Sequence, residues 1–400
     1  MRRRFLVVGI AAALCLSLFA GPFPGLAGLT VASAQGAKGP LGVGDTLDNP
    51  PALDHLSPAL TPKAIDAAMR KVGDWQLERA RADFGQDWTF AALYTGFMDA
   101  AKTLPDPAYG QAMLDVGNKF DWKLGPRLVH ADDQAIGQTY IALYRDHHDP
   151  HMIQATREQY DALMKMPDDP QKPVWWWCDA LFMAPPVWAR LYSVTQDKSY
   201  LDYMDHEWWI TSGLLYDHQE HLYFRDATYL NKTEKNGKKL FWSRGNGWVM
   251  AGLARVLAEM PEDYPSRQKY VDQYRELAAR VASIQGADGL WRPGLLDADA
   301  YALPEVSGSA FFIYSMAWGI NHGILDRKTY LPVVTRGWAG LVSHVYVDGR
   351  LGCIQPIGAA PGDFKPSSSY VYGVGAFLLA GSELHQLAEG HAPEQKRSHR

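Results

Sequence analysis

Residues Val174 to Arg190 read VWWWCDALFMAPPVWAR, a stretch in which one aspartate, Asp179, follows three consecutive tryptophans and leads into an apolar run. Large rings strip water from a carboxylate, disfavour its charged form and lift its pKa toward the range useful to a general acid. The same position also suits an N-cap, with the carboxylate accepting backbone N–H groups of a helix that starts at Ala180. Local sequence leaves both roles open. It leaves the indoles open too, since they fill ordinary cores and also form the flat faces on which sugar rings stack.

Three further stretches carry candidate chemistry. From His130 the chain reads HADDQAIGQTYIALY, so one of Asp132 and Asp133 is expected at or near a helix N-cap and the other is free to face a cleft. Two carboxylates alone are few oxygen ligands for calcium or magnesium, and neither a metal nor a cofactor is expected. Phe241 to Trp248 reads FWSRGNGW, where Arg244 lies between Trp242 and Trp248 and beside two glycines. A guanidinium in such a setting suits a bidentate grip on a ligand carboxylate, although pairing with a structural aspartate accounts for it equally simply. Glu305 is a fourth acid to weigh, but Ser307 and Ser309 ahead of an apolar helix read as caps. No GxSxG elbow, no GxGxxG after a strand and no P-loop is present.

These residues need elements to hold them. Apolar spacing predicts helices over 62–82, 89–103, 107–120, 133–147, 152–165, 179–195, 197–210, 246–260, 266–285, 307–321, 327–346 and 371–388. Little strand alternation appears. Twelve helices make six hairpins, and hairpins closed into a ring give an all-α (α/α)6 barrel whose loops form a cup at one end. No fixed sequence period supports a solenoid instead. The connections 213–240, 285–304 and 347–369 are long and should sit at the barrel rims, the first with a small hairpin. The small-residue start SSSYVYGVGAF of the last helix should pack tightly and has no assigned chemistry.

The chain has 400 residues, 47% hydrophobic and 21% charged, with a formal net charge of -5. That balance gives no reason to expect nucleic acid or a membrane surface as partner. With 14 Trp and 20 Tyr, carbohydrate is the ligand class the composition suits best. Residues 1–34 resemble a secretory signal, with three arginines, an apolar stretch from Phe5 to Ala20 and Ala32-Ser33-Ala34 before Gln35. A periplasmic or secreted location is expected. Residues 35–60 read as a partly disordered leader, 61–390 as one catalytic domain and 391–400 as a disordered tail. Cys178 and Cys353 remain after the signal and could be free or bonded. The oligomeric state is not legible.

HADDQAIG, WWWCDALFMAPP, LYFRD, FWSRGNGW, QGADGLW, EVSGSAFF and YGVGAFLLAGSE together, in this order, resemble the unsaturated glycuronyl hydrolases of glycoside hydrolase family 105 and the related family 88. The resemblance spans about Asp87 to Glu383. It implies an (α/α)6 barrel that acts, without a cofactor, on lyase-generated oligosaccharides carrying a 4,5-unsaturated uronic acid at the non-reducing end. Rhamnogalacturonan fragments are the first choice, with ulvan-like or glucuronan-derived fragments behind. The family's catalytic aspartate falls on Asp179, and its second active-site aspartate on Asp132, with Asp133 the alternative. Its substrate-binding residues fall on Trp177, Trp242, Arg244 and Trp248, and Trp88 joins that set. Arg225 in LYFRD stands where characterised members commonly have histidine, which alters a substrate contact. Two other readings remain: a polysaccharide lyase on the same toroid, with Tyr223 or His221 as base, and a non-catalytic oligosaccharide-binding protein.

Overall fold

Thr61 opens the helical part of the chain by accepting the backbone N–H of Ala64 on its hydroxyl, with Pro62 at a position that needs no N–H partner. From there the computed structural model has helices Pro62–Ala80 (α1), Trp88–Thr103 (α2), Ala108–Lys119 (α3), Ala131–Gln134 (α4), Gly137–His147 (α5), His151–Leu163 (α6) and Ala180–Met183 (α7). These are followed by Pro185–Thr195 (α8), Lys198–Leu215 (α9), Ser243–Leu257 (α10), Arg267–Ser283 (α11), Val306–Asn321 (α12), Arg327–Val342 (α13) and Val371–Glu389 (α14). The structure describes residues 42–167, 169 and 172–390, so the expected export signal and C-terminal tail lie outside it. Each expected helix is found. Two are divided: α7 stops at Met183 because Pro185 and Pro186 cannot donate back into it, and Pro185 starts α8 afresh. The four-residue α4 likewise precedes α5.

The packing closes a ring. Helices α2, α5, α8, α10, α12 and α14 each pack on the next, and α14 returns to α2. Outside them, α3, α6, α9, α11 and α13 pack on the inner helix that each follows, while α1 packs on α14. Five hairpins are thus sequential, and the sixth joins the first helix to the last. Burial follows from this placement. Every residue of α10 and α12 is buried, as expected of helices surrounded by other helices. Helices α2 and α14 approach closely: a Cβ on Gly375 would stand 2.3 Å from the Ala92 carbonyl oxygen. The small residues at the start of α14 are what let these two backbones meet.

Two short antiparallel pairs complete the frame. Strand β1 (Gly44–Asp45) pairs with β4 (Ser369–Tyr370), and Asp45 receives Arg350 and Arg79, which ties residues 44–45 to the barrel. Strands β2 (Tyr216–Asp217) and β3 (Leu222–Tyr223) form the small hairpin expected in the 213–240 connection. Cys178 and Cys353 are buried and free.

The two ends of the inner ring differ chemically. Near the C-termini of α2, α5 and α10 a charged network links Arg145 and Arg190 to Glu259, and Arg255 to Asp99. Cations there offset the partial negative charge of helix ends. At the opposite end Trp88 of α2, Trp248 of α10 and Tyr372 of α14 meet, and Glu305 caps α12.

Candidate active site

Asp179 immediately precedes α7, but its carboxylate makes no capping hydrogen bond. The strand-like segment before it explains where the side chain goes. Trp177 bridges to Asp226, and Cys178 N–H donates to the Arg225 carbonyl at 2.8 Å, so the aspartate and Arg225 are held side by side. Arg225 Nε lies 3.6 Å from Asp179 Oδ2, while its Nη1 donates to Asp226 at 2.6 Å. Nε itself has no hydrogen-bond partner among the described residues. The Cys178 thiol donates to Asp179 Oδ2 at 3.6 Å and is itself kept protonated by burial. Burial also raises the Asp179 pKa, against the opposing pull of Arg225 and then Arg244.

Asp132 and Asp133 part company. His130, not either aspartate, caps α4: its Nδ1 accepts the Asp132 N–H at 3.3 Å. An accepting Nδ1 carries no proton, so His130 is the neutral ring, in keeping with a pKa lowered by burial and by Arg127. Asp133 points away from the cup and accepts the Arg127 backbone N–H at 2.7 Å and its guanidinium Nε at 3.1 Å, pinning the loop before α4. Asp132 carries no such anchor. Its pKa is pushed up to about 7, first by burial and next by the charge of Asp179. The charge of Asp179 thus adds to burial in keeping a proton on Asp132 near neutrality.

Arg244 departs from expectation. It is fully buried between the Trp242 and Tyr372 rings, 4.5 and 4.8 Å from their centroids, and its Nη1 and Nη2 donate to the carbonyls of Gln355 and Pro356. It offers no open bidentate fork, and acts on the site through its charge and by fixing the 355–356 turn. The tryptophans are also reassigned. Trp177, Trp242 and Trp248 are buried, with Trp248 packed against Phe182 and Phe311, whereas Trp176 is 47% exposed with the Arg225 guanidinium over its ring. Trp88, partly exposed, stacks on Tyr372 at 5.4 Å and meets Trp248 edge-on. Glu305 is a buried cap: its carboxylate accepts N–H groups of Ser307, Gly308 and Gln355.

Sequence reasoning missed four contributors. His130 stood in plain sight beside the aspartate pair, and its ring lies 4.9 Å from Trp177. Trp176 differed from its neighbours only in which side of an irregular segment it occupies. Tyr372 and Gln355 had no local signal, since they reach Arg244 from more than 100 residues away.

The fold and this site define an α/α-barrel glycosidase. The profile of Glycosyl Hydrolase Family 88 matches residues 61–388. A relative from Formosa agariphila named unsaturated 3S-rhamnoglycuronyl hydrolase is 40% identical over 356 residues, covering 84% of this chain and 94% of that protein. A second relative with the same name, from an Alteromonas species, is 33% identical over 360 residues, covering 80% and 87%. A solved structure described as a polysaccharide lyase is 35% identical and superposes with a TM-score of 0.78, covering 82% of this chain and 99% of that one. The chain belongs to glycosyl hydrolase family 88, the relation expected beside family 105.

Proposed function

We propose that this glycosidase removes a 4,5-unsaturated uronyl unit from oligosaccharides in which that unit is linked to a 3-sulfated rhamnose. The family supports the unsaturated uronic acid, and the names of two relatives favour rhamnose sulfate over the rhamnogalacturonan fragments put first from sequence. The observation that carries the chemistry is Asp179: a carboxyl that caps no helix, whose pKa burial raises, 3.6 Å from the Arg225 guanidinium.

Ordinary glycosidases protonate the glycosidic oxygen and use a second carboxylate at the anomeric carbon. An unsaturated uronyl ring offers a vinyl ether instead. Protonated Asp179 gives its proton to C4, the C4=C5 electrons form that C–H bond, and oxocarbenium character develops at C5. Water adds at C5 and loses its proton to the Asp179 carboxylate. The resulting hemiketal opens to a C5 ketone and a C1 hemiacetal, whose collapse releases the remaining sugar as an alcohol. Asp132 orients the water or ring hydroxyls, and Arg225 receives the uronate carboxylate; both act by position and charge. Export to the periplasm or beyond is part of this reading and rests on residues 1–34.

A lyase would need a base near a neutralised uronate. The Tyr223 hydroxyl is buried and bonded to Ser212 at 2.7 Å, and His221 is engaged by Tyr216 and Glu276 at the β2–β3 hairpin. Neither supports that role. The test is absorbance: incubation with unsaturated uronyl–rhamnose-3-sulfate disaccharide should remove the conjugated enoate signal, and reaction in deuterated water should leave deuterium at C4. Asp179→Asn should fold normally and lose at least about 1000-fold in kcat. A rising enoate signal on intact polysaccharide, or near wild-type turnover by Asp179→Asn, overturns the assignment.

A further inference from the structure

A cavity of about 400 Å³ opens next to the acidic pair and shares His130 and Trp177 with it. That volume lies in the range of small-ligand sites. Its lining is mostly apolar, and three of its residues, Val129, Met166 and Trp176, are among the few large hydrophobic side chains exposed among the described residues. Exposed apolar surface gathered in one concavity marks a binding face. The mechanism above leaves this cavity unused.

Its walls are fixed in advance. The Leu128 carbonyl is held by side-chain N–H groups of Gln134 and Gln159, at 3.1 and 3.2 Å, which sets Val129. On the other side the Trp175 carbonyl accepts the Thr211 hydroxyl and Trp177 is bridged to Asp226, which sets Trp176 between them. The Trp176 ring touches both halves of the region, since it carries the Arg225 guanidinium and also lines the cavity. A chain entering the cup at Asp179 can therefore continue over Trp176 without leaving the protein surface.

We propose that this cavity is a subsite for the reducing-side continuation of the substrate, taking the sugars beyond the disaccharide by their apolar faces. The occupant it suits is a 6-deoxyhexose, whose ring face and C5 methyl group match Val129, Met166 and the Trp176 indole. The polar lining residues His130, Asp169, Lys172, His206 and Glu207 meet the hydroxyl edge of the same sugar. The inference rests on the saccharide reading above, and identifies the enzyme as one that prefers longer oligosaccharides to the minimal disaccharide.

Binding separates the two ideas. In Asp179→Asn protein, calorimetric titration with unsaturated ulvan disaccharide and tetrasaccharide should give about tenfold tighter binding of the tetrasaccharide. Adding Trp176→Ala or, on the opposite wall, Val129→Asp should bring the two dissociation constants together. Equal affinity for both lengths in the parent, or a length preference that survives both variants, overturns the subsite. Absorbance loss with wild-type protein reports hydrolysis separately: if binding depends on length as stated but the enoate signal persists, the subsite stands and the hydrolase reading falls.

Discussion

Replacing Arg225 by methionine keeps most of the side-chain volume over Trp176 and deletes the charge beside Asp179. At 3.6 Å and an effective dielectric of about 20, the attraction between the two groups is about 4.6 kcal/mol. Asp226 shares the guanidinium, and both side chains keep some contact with solvent, so the realised change is smaller. Because Arg225 lowers a pKa that burial raises, removing it lifts the value further. An acid that must be protonated stays active to higher pH. The alkaline limb of kcat/KM against pH, followed by enoate absorbance, should therefore move upward by about one to three units in Arg225→Met and stay near wild type in Arg225→Lys. The plateau should also drop, since the uronate loses a partner, but limb position is independent of plateau height. The limb belongs to the Asp179–Asp132 pair, not to either residue alone. An unmoved limb, or one displaced to lower pH, would refute the charge coupling.

The neighbouring aspartates should behave oppositely. The folded Asp132 pKa of about 7 lies above its unfolded value near 3.8, so the folded state keeps a proton that the unfolded chain has lost, and stability falls as pH rises through that window. Asp132→Asn should therefore raise the unfolding free energy at pH 8 more than at pH 5, by at most about 3 kcal/mol; a uniform or negative effect contradicts the burial. Asp133→Ala should cost about 1–3 kcal/mol in urea unfolding, because it strips the partners from the Arg127 loop, and a neutral result contradicts the anchoring role. In Gly375→Ala the new methyl would meet the Ala92 backbone, so a fall in Tm is expected; an unchanged Tm means that α2 and α14 can separate more easily than their packing implies.

Much of this protein is written locally. Helical periodicity and the Thr61-Pro62 start depend on residues within a few positions of each other, and twelve such segments pointed to the ring, although two of them are divided in the structure. The motif around Asp179 showed where a desolvated carboxylate would be, and the charge pattern gave no reason to expect nucleic acid or a membrane surface as partner. What stayed open were questions of direction. Whether Asp179 caps α7, which of Asp132 and Asp133 faces the cup, and which of three adjacent tryptophans meets solvent all turn on side-chain orientation in irregular segments. Those orientations are set by partners far along the chain: Asp226 bridging Trp177, Arg127 claiming Asp133, and Gln355 and Tyr372 enclosing Arg244. Sequence determines the residues available to the site because composition and periodicity are local properties. Only the closed ring decides which of them hold a substrate, because burial and charge coupling arise when distant segments are brought together.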